Sequence, residues 1–241
     1  QFALDGSLIF NNNKQKSLYE GKITLINGTP YPRLEVANRK YRFRILNAAA
    51  TRYYKLALSQ NSQSLTANEQ LIVIGSDSGL IDKPVSVSSS EESLRIAMAE
   101  RYEVVIDFSK YPVGTQLYLH DLKTVNNKTA IKDLISTKAI MRFDVVREEK
   151  DDSSIPDHLR PFIPIPVSAA VKTRNFIYDR VNGKWSINGK TWDMSRIDLH
   201  ANPGDIEIWN LVNPQKDKRH PVHMHLLKAH MLDRNGQPPL P

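Results

Sequence analysis

Short stretches in which apolar and polar residues alternate recur along the chain, and they constrain its fold more than any other feature. In Tyr41–Leu46 apolar and basic residues alternate with period two, which is typical of a strand that buries one face. Because such stretches follow one another at short intervals, with no long helical period between them, the sequence predicts an all-β sandwich or barrel. Strands are predicted at residues 23–26, 41–46, 53–58, 71–74, 94–98, 102–108, 116–120, 139–146, 174–178, 185–187 and 205–209.

Two of the predicted turns have clear sequence signals. Asn27-Gly28 is a preferred pair for a two-residue β-hairpin, because both residues adopt positive φ at low cost. The small polar residues of Gly75–Gly79 close the strand predicted at 71–74.

The character of the sequence changes after about Arg147. A charged polar run at residues 148–154 leads into a series of prolines, and closely spaced prolines favour extended, semi-rigid chain. We therefore predict a linker at 149–172 between a domain at 1–148 and a further domain at 173–241. Roughly 70 residues follow this linker, whereas a sandwich of ordinary size needs about 100. We expect the second domain to be incomplete and the chain to be a piece of a longer protein.

Four of the seven histidines lie within eleven residues, at His220, His223, His225 and His230. Imidazole is the commonest side-chain ligand for zinc, copper and iron, so this cluster indicates a metal site. The histidine segment is predicted to form a strand after the one at 205–209. On such a strand His223 and His225 would point to one face, whereas His220, at an odd separation from both, would point to another. The alternative interpretations of such a pair are a half-exposed polar face and one arm of an adventitious metal site. His230 alone is interpreted as a structural residue.

Composition narrows the possible functions. A hydrophobic content of 40% with 10 glycines fits a globular protein. The sequence contains no run of eighteen apolar residues that would predict a membrane span. The net charge of +7 permits attraction to anions, but Lys and Arg are spread along the chain, which favours a solvated surface over a nucleic-acid site. The chain has no cysteine, so it cannot complete a blue-copper site by itself.

The segment from His220 to Leu226 resembles the His-Pro-x-His-x-His segment of the multicopper oxidases. The resemblance is closest to the bacterial laccase group, which includes spore-coat laccase, copper-efflux oxidase and bilirubin oxidase. It extends over most of the chain outside the linker, in the right order. Residues 23–28, 41–48, 74–80 and 99–108 are similar to stretches of the family's second cupredoxin domain.

This resemblance implies tandem cupredoxin-like Greek-key β-sandwiches, of which the second is incomplete: the family's second domain and the first half of its third. It implies copper as the cofactor. His220 matches the ligand of type 1 copper, where electrons enter, His223 a type 2 ligand and His225 a type 3 ligand of the cluster that reduces oxygen. The second domain supplies no ligands, so Asn47, Asp77, Gly79 and Arg101 are interpreted as turn and packing residues.

The resemblance also implies what the parent protein does. It would be a copper-dependent oxidase that oxidises phenols, aromatic amines, bilirubin-like pigments or cuprous ions by one-electron steps and reduces dioxygen to water. The first domain and the later His-Cys-His segment are absent from this sequence, so the isolated chain is expected to be inactive. Its expected partners are the remaining segments of the same oxidase, dioxygen and a small reducing substrate. The family favours the cell envelope, the spore surface or secretion.

Two alternatives to an oxidase stay open. The first is a copper-free cupredoxin-fold interaction module, as in the family's cell-division paralogue. Three histidines in one segment argue against it. The second is a β-sandwich that binds a metal or an anion through His223 and His225 without redox chemistry, and the missing cysteine keeps it open.

Overall fold

The computed structural model of the chain describes residue 5 and residues 23–63, 69–88, 93–124, 134–215, 220–225 and 229–239. It divides into two compact units, one formed by Gln1–Pro161 with Lys228–Pro241 and the other by Phe162–Leu227. In the described ranges the regular structure is β-strand, apart from 3-10 helices at Phe108–Lys110 and Val167–Ala169, so the predicted all-β fold is confirmed. No helix in these ranges is long and apolar enough to cross a membrane.

The strands described in the first unit follow most of the predicted positions. They are β1 (Leu25–Ile26), β2 (Thr29–Pro30), β3 (Arg33–Ala37), β4 (Lys40–Leu46), β5 (Tyr54–Ser59), β6 (Gln70–Ser76), β7 (Gly79–Ser88), β8 (Leu94–Ile96), β9 (Arg101–Asp107), β10 (Gln116–Thr124) and β11 (Leu134–Arg147). One sheet has the order β3-β11-β10-β5-β8 and the other the order β4-β9-β6-β7, while β1 and β2 form a separate hairpin.

A single hydrophobic core takes side chains from both of these sheets. Val36, Leu58 and Leu117 come from the five-stranded sheet, Val73 and Val104 come from the four-stranded sheet, and each is exposed by 2% or less. Two sheets that share one core form a β-sandwich. The first unit is therefore a sandwich, not a barrel.

Strand β4 shows how the sequence pattern produces this packing. Tyr41, Phe43 and Ile45 are half-buried and pack against the core, whereas Arg42 and Arg44 are exposed. This is the arrangement predicted by the alternation of apolar and basic residues, because successive side chains of a strand point to opposite faces.

The predicted turn residues have structural roles. Asn27 and Gly28 both have positive φ, 49° and 82°, between β1 and β2. Asn47 is buried, and its Nδ2 donates to a backbone carbonyl oxygen. Asp77 Oδ1 accepts a hydrogen bond of 2.8 Å from the backbone N–H of Arg101. These contacts agree with a turn role for Asn47, Asp77 and Arg101, and the positive φ of Gly79, 99°, agrees with a turn role for that residue.

The predicted linker begins as a segment bound to the first unit. The backbone N–H and Nζ of Lys40 donate to Asp151 Oδ2 at 2.8 and 3.2 Å, and Glu149 N donates to Asn38 Oδ1 at 3.0 Å. The described residues from 148 to 166 form no helix or strand. The boundary between the compact units falls after Pro161, inside the predicted range 149–172, and the predicted domain limits remain a prediction.

The second unit contains one sheet in the described ranges. Its strands are β12 (Lys172–Val181), β13 (Lys184–Ile187), β14 (Lys190–Thr191) and β15 (Glu207–Val212), in the order β14-β13-β12-β15. Among the described residues of this unit only Ser186 is buried. Large apolar side chains are exposed instead, including Trp192 (86%), Met194 (88%) and Ile197 (71%). This sheet therefore buries little apolar surface within the described residues.

Candidate metal centre

The histidine segment is not a strand. The described residues 220–225 have no strand assignment, and the preceding strand β15 ends at Val212, so the prediction of a histidine strand is wrong. Pro221 has no backbone N–H to donate to a neighbouring strand, which disfavours pairing at this point. Arg219 and Leu226, which flank the segment, lie outside the described residues.

The segment nevertheless brings the imidazoles of His223 and His225 together. Their ring centroids are 5.0 Å apart and their planes are 84° apart, and both residues are exposed. Two imidazoles bound tetrahedrally to one ion, with metal–nitrogen distances of about 2.0 Å, would have ring centres roughly 5 Å apart. The separation therefore fits a shared ion.

His220 has a different environment. Its ring stacks on that of Tyr178, with 5.4 Å between centroids and 22° between planes, and meets the ring of Trp185 at 5.1 Å and 83°. Its Nε2 atom is buried and has no hydrogen-bond partner among the described residues. A buried ring nitrogen without a partner is costly, and coordination to a metal would remove that cost. The residue therefore fits the role of a metal ligand.

The aromatic neighbours of His220 were not predicted from the sequence as site residues. Tyr178 and Arg180 lie on β12, and Trp185 lies on β13. Burial raises the pKa of the Tyr178 phenol above its usual value. The sequence feature that could have predicted this hairpin is Asn182-Gly183. Both residues have positive φ, and the pair joins β12 to β13 in a tight turn.

The described residues do not complete a metal site. Among them, no group of three or more His, Cys, Asp or Glu side chains is arranged to hold an ion. His223 and His225 provide two nitrogens and His220 provides one, and the chain has no cysteine. This donor set fits part of a copper site and requires further ligands for a closed one.

Other histidines have separate locations. His120 is fully buried in β10, its Nε2 lies 2.9 Å from the carbonyl oxygen of Asn61, and burial lowers the pKa of its imidazole. His230 is exposed and is grouped with the first compact unit, whereas His220, His223 and His225 belong to the second. The structure thus places the three candidate ligands in one unit.

Comparisons with known proteins agree with these features. The sequence model of the family described as multicopper oxidase matches residues 165–240, which include all three candidate ligands. The chain is 34% identical to bilirubin oxidase of Albifimbria verrucaria over 241 residues, which cover 98% of this chain and 41% of that protein. It is 32% identical to a laccase of Bacillus subtilis over 225 residues, which cover 89% of this chain and 40% of that protein.

A solved structure shows the same architecture. McoA multicopper oxidase from Aquifex aeolicus matches with a TM-score of 0.70 and 28% identity, over 89% of this chain and 46% of that chain. The β-sandwich architecture is therefore that of the cupredoxin-like domains, as predicted. Residues 165–240 match the multicopper oxidase family, and the chain as a whole is similar to multicopper oxidases. It spans less than half the length of the relatives named here.

Proposed function

We propose that this chain is part of a laccase-like multicopper oxidase in which His220, His223 and His225 bind copper. The observation that carries the proposal is the division of these histidines between two environments. His223 and His225 lie with their rings 5.0 Å apart, whereas His220 has its own aromatic surroundings and a buried ring nitrogen without a partner among the described residues. Two imidazoles for one centre and one for another is the division that the family segment implies.

In this proposal each histidine has one role. His220 binds the type 1 copper, His223 the type 2 copper and His225 a type 3 copper. Copper would supply the one-electron chemistry that transfers electrons from a phenolic, aromatic-amine, bilirubin-like or cuprous-ion donor to dioxygen, which is reduced to water. In the oxidase this chain would provide imidazole nitrogens as ligands and would keep His220 apart from the His223–His225 pair.

The isolated chain is expected to lack this activity. A type 1 site requires a thiolate, and the sequence contains no cysteine. The exposed Trp192, Met194 and Ile197 support the proposal that further segments of the same oxidase cover the second unit, because a large exposed apolar surface commonly marks an interaction site. We propose the cell envelope, the spore surface or secretion as its location, on the family resemblance alone.

The proposal is tested on the oxidase that contains this chain. We expect bound copper, an intense blue thiolate-to-copper absorption and oxygen consumption with a phenolic donor, whereas the 241-residue chain alone shows neither blue colour nor oxygen consumption. His220→Gln should remove the blue band and the activity, and the control His230→Gln should retain both. An oxidase that binds no copper would favour the interaction module. Bound metal without oxygen consumption would favour the non-redox β-sandwich.

A further inference from the structure

The hairpin of β12 and β13 presents three side chains next to His220. Arg180 pairs directly with Trp185 across the hairpin, and Tyr178 pairs with Ile187. Directly opposed residues share one face of a sheet, and so do residues two apart on one strand. Tyr178, Arg180 and Trp185 therefore occupy the same face, and we call them the His220 cage.

Two members of the cage contact the imidazole in different orientations. The ring of Tyr178 is nearly parallel to that of His220, and the ring of Trp185 is nearly perpendicular to it. Parallel and edge-to-face arrangements are both favourable for aromatic pairs, so rotation of the imidazole out of its plane would weaken both contacts. This restraint is significant because His220 lies outside any strand, where the backbone gives less support.

The third member contacts Trp185. The guanidinium carbon of Arg180 lies 3.9 Å from the centroid of the Trp185 ring, a cation–π contact. The Trp185 side chain is 46% exposed, so neighbouring residues pack against only part of it. The contact with Arg180 adds a restraint on the orientation of its indole. The two measured separations also place the Arg180 charge within roughly 9 Å of the His220 ring, close enough for weak repulsion of a metal cation.

We propose that Tyr178 and Trp185 are positioning residues that fix the plane of the His220 imidazole for metal binding, and that Arg180 keeps Trp185 in place. This inference rests on the proposed role of His220 as a copper ligand. Its physical basis is preorganisation: a ligand that is already oriented loses less conformational entropy when it binds. In many metal sites, hydrogen bonds from surrounding residues orient the metal ligand. Here the ring contacts of Tyr178 and Trp185 would orient the imidazole of His220.

The first test measures the orientation of the imidazole without metal. In the 241-residue chain, the carbon-bound ring protons of His220 should have NMR shifts displaced by the neighbouring rings. Tyr178→Leu should remove much of that displacement, whereas Tyr178→Phe, which retains a six-membered ring, should preserve it. Unchanged shifts in a Tyr178→Leu chain with a native circular dichroism spectrum would overturn the proposal, whatever the result with copper.

The second test uses Cu²⁺ as the probe in a chain that carries His223→Gln and His225→Gln, so that His220 is the remaining candidate ligand. We expect Cu²⁺ to quench part of the tryptophan fluorescence, and we expect Trp185→Phe or His220→Gln to remove that part. Tyr178→Leu should weaken the apparent Cu²⁺ affinity roughly 3- to 10-fold, and Tyr178→Phe should restore it. Arg180→Gln removes both the restraint on Trp185 and the repulsion of Cu²⁺, and these two losses change the Cu²⁺ affinity in opposite directions. Because salt screens the repulsion, the change in affinity should depend on the salt concentration. Arg180→Lys, which keeps the charge, should change the affinity less.

The outcomes separate the two proposals. If His220→Gln leaves the quenching unchanged, the role of His220 as a copper ligand fails, and positioning for copper fails with it. If His220→Gln abolishes the quenching but Tyr178→Leu leaves the Cu²⁺ affinity unchanged, His220 remains the ligand and only the cage proposal is overturned.

Discussion

The imidazole rings of His223 and His225 lie almost perpendicular to each other, with 5.0 Å between their centroids. In the complete oxidase we propose that each binds a different copper of one cluster. In the isolated chain the other ligands are missing, and the same separation allows the two rings to share a single ion.

The first prediction follows from this pair. Replacing either His223 or His225 with Gln should weaken Cu²⁺ binding by the 241-residue chain roughly tenfold or more, because the second imidazole binds intramolecularly. Isothermal titration calorimetry would measure the affinity of each variant. His230→Gln is the matched control and should bind as the unchanged chain does. Equal affinities for all variants would show that the pair does not chelate.

The second prediction concerns the strand that precedes the histidine segment. Arg174 on β12 donates to Glu207 on β15 through Nε at 2.6 Å and through a terminal nitrogen at 2.7 Å, and Trp209 Nε1 donates to the same carboxylate at 2.9 Å. The Arg174 hydrogen bonds and then that of Trp209 lower the pKa of Glu207 to about 2. Because the folded-state pKa is depressed, the stabilisation is present above about pH 4.5 and is lost as the pH falls towards 2.

Glu207→Gln should therefore lower the Tm of the second unit by a few degrees at pH 7. The difference from the unchanged chain should shrink between pH 4.5 and pH 2, the interval in which Glu207 is protonated in the unfolded chain before it is protonated in the folded one. Thermal unfolding followed by tryptophan fluorescence would measure this, since all three tryptophans lie at residues 185, 192 and 209. Lys190→Gln, which breaks an exposed pair with Asp198 in the same unit, should leave the Tm unchanged. A pH-independent difference would contradict the ion-pair account.

The strands of the first unit could be predicted from sequence because their signals are local. The alternation of apolar and polar residues predicted β4 from Tyr41, one residue after its observed start. Asn27-Gly28 predicted the first hairpin, because the tendency to adopt positive φ is a property of those two residues alone. The start of β11 could not be predicted as well from the sequence. It begins at Leu134, before the predicted start at 139, because pairing with β10 extends it beyond its clear apolar pattern.

The site could be predicted only in part. The two-residue spacing of His223 and His225 predicted their proximity, although the segment is not a strand. Prediction of β12 stopped at Tyr178, because the polar pair that follows does not continue an apolar pattern. The structure extends β12 to Val181, and that extension places Arg180 opposite Trp185. Contacts between His220 and these residues depend on tertiary packing, which spacing along the chain does not encode.

The third prediction tests the core of the first unit. The Phe108 side chain is fully buried and lies edge-on to Tyr41, with 5.6 Å between centroids, and at a tilt to Phe143, with 5.3 Å. Phe108→Ala should lower the free energy of unfolding by about 3–5 kcal/mol, because it removes buried apolar surface and leaves a cavity. Urea unfolding followed by circular dichroism would measure this. Val113→Ala, at a position that is 47% exposed, should change the free energy by less than about 0.5 kcal/mol.

The last prediction concerns the segment after β11, where Asp151 contacts Lys40. Hydrogen bonds from the Ser153 hydroxyl, from the backbone N–H groups of Lys40 and Ser153, and from the Lys40 ammonium hold the pKa of Asp151 well below 3.8. Asp151→Ala removes the acceptor for all of them, so the backbone amides of Lys40 and Ser153 should exchange with solvent faster, by roughly tenfold. Hydrogen exchange followed by NMR would measure this.

The neighbouring Asp152 offers a matched control for that experiment. Its carboxylate pairs only with exposed Lys150 among the contacts described, and its side chain is 74% exposed, so Asp152→Ala should leave the exchange rates unchanged. In the unchanged chain the protection should persist as the pH is lowered past 3.8, because the contribution of a carboxylate with a depressed pKa is lost only when the pH falls through that lower value. Equal exchange in the Asp151→Ala and Asp152→Ala chains would show that Asp151 does not anchor the segment to β4.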